Sequence, residues 1–180
     1  MSLRPGRCYR WDSPAYTRVS NNPQDSFITG IPGLKVVHYN MGNPKGDFDI
    51  EISVVTKEKI QIRHNALEAA RMAINRSLEK SLGKGNYYFR IRVYPHHVMR
   101  ENVMATGAGA DRIQSGMRNA FGKPVGRAAR LKKGKTVFSV YTNNDEKSIN
   151  NVKDALKKGI SKLPGYMEIN IREIKNKKGK

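Results

Sequence analysis

Two constellations in this chain contain residues of the kind that do chemistry. The first is "PHHVMRE", which sets His96, His97, Arg100 and Glu101 within one short stretch. One imidazole taking a proton while a second group gives one would suffice for acid–base cleavage of RNA. On an extended strand, however, neighbouring side chains point to opposite faces, so His96 and His97 would not meet the same substrate. The second is "MATGAGADRIQSGMRNAFGKPVGR", Met104 to Arg127. Its glycines and alanines bare the backbone, and basic residues follow at short intervals. A loop of that make suits phosphate, because another backbone can approach it closely.

The phosphate could belong to a nucleotide or to a nucleic acid. A nucleotide loop of the Gly-x-x-x-x-Gly-Lys-Ser/Thr type needs its hydroxyl to hold magnesium. Here Gly116 and Gly122 are one residue too far apart, and Pro124 stands where the hydroxyl belongs. The dinucleotide fingerprint fails as well, since Arg112 occupies its third glycine position after Gly107 and Gly109. No cofactor, NTP or small-molecule substrate is expected.

The nucleic-acid reading fits the residues better. Asp111 is placed to cap a short helix running to about Phe121, with Ile113, Met117 and Phe121 as its apolar side. Arg112 and Arg118 lie on that helix, and Lys123, Arg127, Arg130, Lys132 and Lys133 follow. Arginine's planar donors match phosphate oxygens and stack on bases.

Composition points the same way. The chain has 180 residues, 38% of them apolar, and a formal net charge of +19. One domain of that size buries a real core, but its surface repels itself unless a polyanion supplies the counter-charge. The segment from Leu34 to Arg63 is nearly neutral, whereas Arg4, Arg7, Arg10 and Arg18 crowd the first twenty residues. A balanced body with basic extensions is the layout of a protein embedded in nucleic acid. No apolar run is long enough to span a membrane, and the start reads as mature sequence rather than a signal peptide. The single cysteine, Cys8, fits a reducing cytosol, and no metal-finger spacing links it to the four histidines, so no metal is expected.

Periodicity supplies the elements that must position these residues. Strands are expected over "LKVVHY", "FDIEISVVT", "KIQIR", "YYFRIRVY", "HVMRENVM", "TVFSVYT" and "MEINIREI". In "YYFRIRVY", Phe89, Ile91 and Val93 face one way and Arg90 and Arg92 the other. A helix opens at Asn65, with Asn65 and Glu68 as a capping box. It carries Leu67, Ala70, Ile74, Leu78 and Leu82 in one apolar stripe and ends at Gly83. A second helix, capped by Asn144 or Asp145, buries Ile149, Val152, Leu156, Ile160 and Leu163. The fold class is α+β: two amphipathic helices packed on a mainly antiparallel or mixed sheet. Residues 1–33 form an extended basic arm and 34–174 a single RNA-binding domain with a loop insertion at about 104–135, while 175–180 form a solvated tail. Ser2 to Asn22 of the arm and the tail Lys175 to Lys180 are expected to be mobile in the isolated protein. "KGNYYFRI" lacks the full aromatic signature of an RNA-recognition strand; Phe89 is expected in the core, and Tyr87, Tyr88, Trp11 and Tyr16 are left as stacking candidates.

Several blocks together resemble one family. "CYRWDSPAYTR", "GIPGLKVVHYNMGN", "QIRHNALEAARMAINRSLEK", "YPHHVMRENVMATGAGADRIQSGMRNAFGKPVGRAAR" and "LPGYMEINI" are similar to the archaeal and eukaryotic large-subunit ribosomal protein L-ten-e, or QM, family. It is the counterpart of bacterial L-sixteen. The match runs in collinear order from about Arg4 to Ile174, and "TGAGADR" is nearer the archaeal form. The resemblance implies an α/β-hammerhead-like fold and a structural, non-catalytic role in the cytoplasm, within the large ribosomal subunit. It implies large-subunit rRNA near the peptidyl-transferase region, 5S rRNA, tRNA and neighbouring ribosomal proteins as partners, with no homo-oligomer. It makes Thr106, Gly107, Ala108, Gly109, Ala110, Asp111 and Arg112 the tRNA-proximal loop. Arg100, Arg118, Lys123 and Arg127 become rRNA anchors beside the cations named above. The competing classes are a free-standing RNA-processing enzyme using His96, His97 and Glu101, and a nucleotide-dependent assembly factor.

Overall fold

The computed structural model describes residues 4–9, 11, 15–17, 21–22, 28, 30–101, 107–109 and 122–174. In chain order these residues give β1 (Asn40–Gly42), β2 (Ile50–Thr56), β3 (Ile60–Arg63), α1 (His64–Leu82), β4 (Tyr88–Ile91), β5 (His97–Glu101), β6 (Lys123–Leu131), β7 (Thr136–Thr142), α2 (Glu146–Ile160) and β8 (Met167–Glu173). The strands form a five-stranded sheet of order β1-β4-β7-β2-β8 and a three-stranded sheet of order β3-β6-β5. All their pairings are antiparallel. This is the expected α+β class, with its strands divided between two sheets.

One bent ribbon joins the sheets. β2 pairs with β7 in the large sheet, and their continuations β3 and β6 pair in the small one. The register slips between Val54 and Val55, an irregularity that bends a strand. Thr56 fixes the corner: its hydroxyl donates to the Lys132 carbonyl at 3.0 Å, and its own carbonyl accepts the Gly134 N–H at 2.8 Å.

Alternation makes the core. Ile50, Ile52 and Val54 of β2, Phe89 and Ile91 of β4, and Phe138 and Val140 of β7 turn inward onto the helices. Leu67, Ala70, Ile74 and Leu78 of α1 are fully buried there, as are Val152, Ala155 and Leu156 of α2. Each large side chain so buried contributes about 1.5–3 kcal/mol. Gly159 lets the two helices touch, because a Cβ at that position would overlap Ile74 Cδ1. Gly42 has φ +84° and lies against the Tyr87 carbonyl, where no larger residue would fit.

Three expectations need correction. The paired first strand is Asn40–Gly42 rather than Leu34–Tyr39, with the Tyr39 carbonyl accepting the Ile91 N–H at 2.9 Å just ahead of it. The preceding residues run on with Val36 buried and Val37 exposed. The capping box at Asn65 does not form. Helix α1 follows β3 without a break and its N-cap is Arg63, so Asn65 already lies inside the helix, and the Glu68 carboxylate is held by Arg71 at 2.6 and 2.8 Å. The basic insertion does not extend to 135 as a loop, since Lys123–Leu131 is the central strand of the small sheet. Its Gly126, Ala128 and Ala129 leave room for close packing, and such residues carry little strand propensity.

Candidate nucleic-acid interface

The small sheet holds Arg100, Lys123, Arg127 and Arg130, with Lys132 and Lys133 just beyond β6, and the N-terminal arm is laid across one of its faces. Arg4 to Tyr9 is fastened at several points. Arg63 Nη1 donates to the Arg4 carbonyl at 2.8 Å and Gln61 Nε2 to the Gly6 carbonyl at 3.2 Å. The Tyr9 ring is buried against Met99 and Ala128. Further along, Tyr16 pairs with β5: its carbonyl accepts the Val98 N–H, and its own N–H donates to His97 Nδ1, both at 3.0 Å.

These contacts decide what the "PHHVMRE" residues do. His96, just ahead of β5, is exposed, whereas His97 is 3% exposed. Burial, followed by the charges of Arg130, His96 and Arg100, depresses the pKa of His97 to about 4. Glu101 is held by Arg4 Nε at 3.0 Å and accepts the Tyr9 hydroxyl at 3.3 Å. Histidine and carboxylate are therefore pieces of the arm's docking site. They do not form an acid–base pair.

The predicted RNA-binding residues divide into two groups. Arg100, Arg127 and Arg130 are half-buried and serve the scaffold. The Arg100 guanidinium lies 3.6 Å from the centre of the Tyr16 ring. Arg127 Nη1 donates to the Tyr94 hydroxyl at 3.1 Å. Arg130 Nε donates to Gln61 at 3.0 Å, and its Nη2 lies 3.0 Å from His97 Nε2. Arg4, Arg7, Lys123, Lys132 and Lys133 are exposed. Arg7, Trp11 and Lys59 line a groove of about 150 Å³ at the corner of the ribbon, with Lys59 Nζ 5.1 Å from the Trp11 ring centre. Lys59 and Lys132 each sit one step beyond the Ile60–Leu131 pair. Lys123 is at the other end, opposite Glu101. Arg10, Arg18, Arg112 and Arg118 lie outside the described residues, as do Thr106, Ala110 and Asp111. Gly107, Ala108 and Gly109 are described and exposed, and Gly109 has φ +83°.

Of the stacking candidates, Tyr87 is excluded by full burial, its hydroxyl donating to Asn75 Oδ1 at 2.9 Å. Phe89 is in the core as expected, against Phe138. Tyr88 stacks on Tyr141 with ring centres 5.4 Å apart.

A second set of polar residues, of which the sequence singled out only Tyr88 for a binding role, lies on the face of the large sheet turned away from the helices. Cross-strand registers bring Arg90, Ser139, Ser53 and Asn170 into one row and Tyr88, Tyr141, Glu51 and Arg172 into the next. Of these, Arg90, Ser53, Asn170, Glu51 and Arg172, with Arg92 and Lys135, line a groove of about 780 Å³. The alternation of Arg90 and Arg92 was the available signal. That four separate strands contribute to one surface was not readable from it.

The sequence has counterparts among known proteins. The family described as ribosomal protein L16p/L10e matches residues 12–170. A large ribosomal subunit protein uL16 from Methanospirillum hungatei is 52% identical over 165 residues, covering 91% of this chain and 92% of its own. The proteins of the same name from Methanosphaerula palustris and Hyperthermus butylicus are 49% and 46% identical, each over 97% of this chain and 96% of its own.

Proposed function

The chain belongs to the ribosomal protein L16p/L10e family, and on that premise we propose how it serves the ribosome. It is a structural protein of the large subunit, it works in the cytoplasmic ribosome, and its partners are rRNA and neighbouring ribosomal proteins. It is not an enzyme. The exposed cations at the two ends of the small sheet, Arg7, Lys59, Lys132 and Lys133 at one and Arg4 and Lys123 at the other, grip rRNA phosphates. Arg100, Arg127 and Arg130 stiffen the sheet that presents them. Arg10, Arg18, Arg112 and Arg118 extend the grip along the arm and the insertion.

The finer assignment concerns position. The segment Thr106–Arg112 reaches the tRNA-binding cleft near the peptidyl-transferase region, and the body rests against large-subunit rRNA close to 5S rRNA. The observation that carries this reading is the layout of charge. Exposed Arg7, Lys59, Lys132 and Lys133 gather at one end of the small sheet and Arg4 and Lys123 at the other, and the glycine-rich insertion lies between its β5 and β6. Backbone-dominated loops and exposed cations together suit RNA phosphate without a metal.

Shortening Thr106–Ala110 tests it. Subunit binding should be retained while accommodation of tRNA is impaired. Failure of subunit assembly would instead give the segment an architectural role.

A further inference from the structure

The outer face of the five-stranded sheet is an open surface among the described residues, and its chemistry is one-sided. Arg90, Arg92, Lys135 and Arg172 line its groove. The carboxylate in that lining, Glu51, is held by Arg92 Nη2 at 3.0 Å and by the Tyr141 hydroxyl at 3.2 Å. Glu168, further along β8, is within 3.4 Å of Lys57. The acids on this face therefore meet cations of the chain itself, and the surplus charge is positive.

The groove is also organised. Arg92 Nε donates to Ser139 Oγ at 3.0 Å, and its Nη2 reaches both Glu51 and Tyr141. These bonds fix the plane of the guanidinium. Glu51 thus acts as a local template that orients a cation. Ser53 and Asn170 supply uncharged hydrogen-bonding groups along the floor, and the Tyr88–Tyr141 stack lies in the adjoining row. Arg90 on β4 and Arg172 on β8 are three strand spacings apart, about 14 Å. That span is too wide for a single carboxylate or phosphate and suits a run of several phosphates. Hydroxyl and amide groups between the cations suit the 2′-hydroxyls of ribose.

We propose that this face is a second RNA-contacting surface, which holds a stretch of ribosomal RNA backbone across Arg90, Arg92, Lys135 and Arg172. The proposal rests on the ribosomal reading above and extends it from the small sheet to the opposite part of the molecule. The protein then bridges two RNA segments, one on each sheet. The ribbon bent at Thr56 sets the angle between them.

The test uses the full-length chain and large subunits depleted of it. Arg90→Gln, Lys135→Gln and Arg172→Gln are combined, leaving Arg92 and its partners in place. All three changed residues are exposed, so thermal unfolding should stay at the wild-type temperature, which checks the fold. Binding of the triple variant should lose about 2 units from the log–log salt slope, at about 0.7 for each lost phosphate contact. A photo-crosslinker at Asn170, in an otherwise wild-type chain, should join to rRNA. An unchanged slope overturns the proposal, as does a crosslink to a neighbouring protein, which would make the groove a dock for an acidic segment. If the wild-type chain itself fails to bind subunits, the ribosomal reading falls first. If wild type binds and only the variant's slope is unaltered, this inference alone is lost.

Discussion

His97 Nδ1 accepts the backbone N–H of Tyr16 at 3.0 Å, so a buried, neutral imidazole holds the N-terminal arm against β5. In the unfolded chain the same ring titrates near its ordinary value of 6.5, and in the folded protein burial depresses it to about 4. Between those values the unfolded state binds more protons. Stability is therefore fully present above pH 6.5 and falls as the pH drops towards 4. The loss attributable to His97 is at most about 3 kcal/mol. Urea unfolding of the isolated protein at pH 7 and pH 4.5 should show it, and His97→Gln should remove most of the difference. His64, also depressed by burial and then by Lys35, leaves a remainder of the same sign. A His97→Gln variant with the wild-type pH dependence would contradict this.

Helix packing gives a second expectation. A Cβ at Gly159 overlaps Ile74 Cδ1 and Cγ1, and Ile74 is fully buried. Gly159→Ala should cost about 1–3 kcal/mol through overpacking. Adding Ile74→Ala removes both obstructing atoms, so the double variant should be less destabilised than the sum of the two single changes. Strict additivity in urea unfolding would show that the helices simply move apart.

Tyr9 is the arm's apolar anchor. Its ring packs on Met99 and Ala128, and its hydroxyl donates to Glu101 and accepts the Arg4 N–H at 3.1 Å. Tyr9→Ala should cost about 3 kcal/mol and open Arg4 and Arg7 to trypsin. Tyr9→Phe should cost only about 1 kcal/mol. Equal protection from trypsin in wild type and Tyr9→Ala would mean that the arm is held elsewhere.

The division of the small-sheet cations makes a fourth. Lys123→Gln, Lys132→Gln and Lys133→Gln together should lower the salt slope of subunit binding by about 2 units and leave thermal stability unchanged. Arg130→Ala should do the reverse, since it strands Gln61 beneath the arm and lowers stability by about 1–3 kcal/mol. If Arg130→Ala changes only the salt slope, its role is contact with RNA and not support of the sheet.

Much of this was legible because periodicity reports burial. The stripe through Leu67, Ala70, Ile74 and Leu78 is the buried face of α1, and the alternation in "YYFRIRVY" separates Phe89 and Ile91 from Arg90 and Arg92. What stayed hidden depends on contacts distant in sequence. Lys123–Leu131 reads as a basic loop because Gly, Ala and Arg favour no strand, yet β3 and β5 pair on either side of it. Arg127 and Arg130 read as RNA contacts because nothing nearby announces Tyr94 or Gln61 as partners. Glu68 was assigned to a cap because its spacing from Asn65 is right, but Arg71, one turn on, offers a bidentate partner. The outer groove needs four strands in a particular order, and no local pattern encodes that order.

The central claim is that the chain's excess positive charge is neutralised by ribosomal RNA. Sedimentation of the purified protein with large subunits depleted of it tests this most directly. The account predicts one copy per subunit, retained at moderate salt and released progressively as salt rises. Absence of binding even in dilute buffer, or binding indifferent to salt, would contradict it.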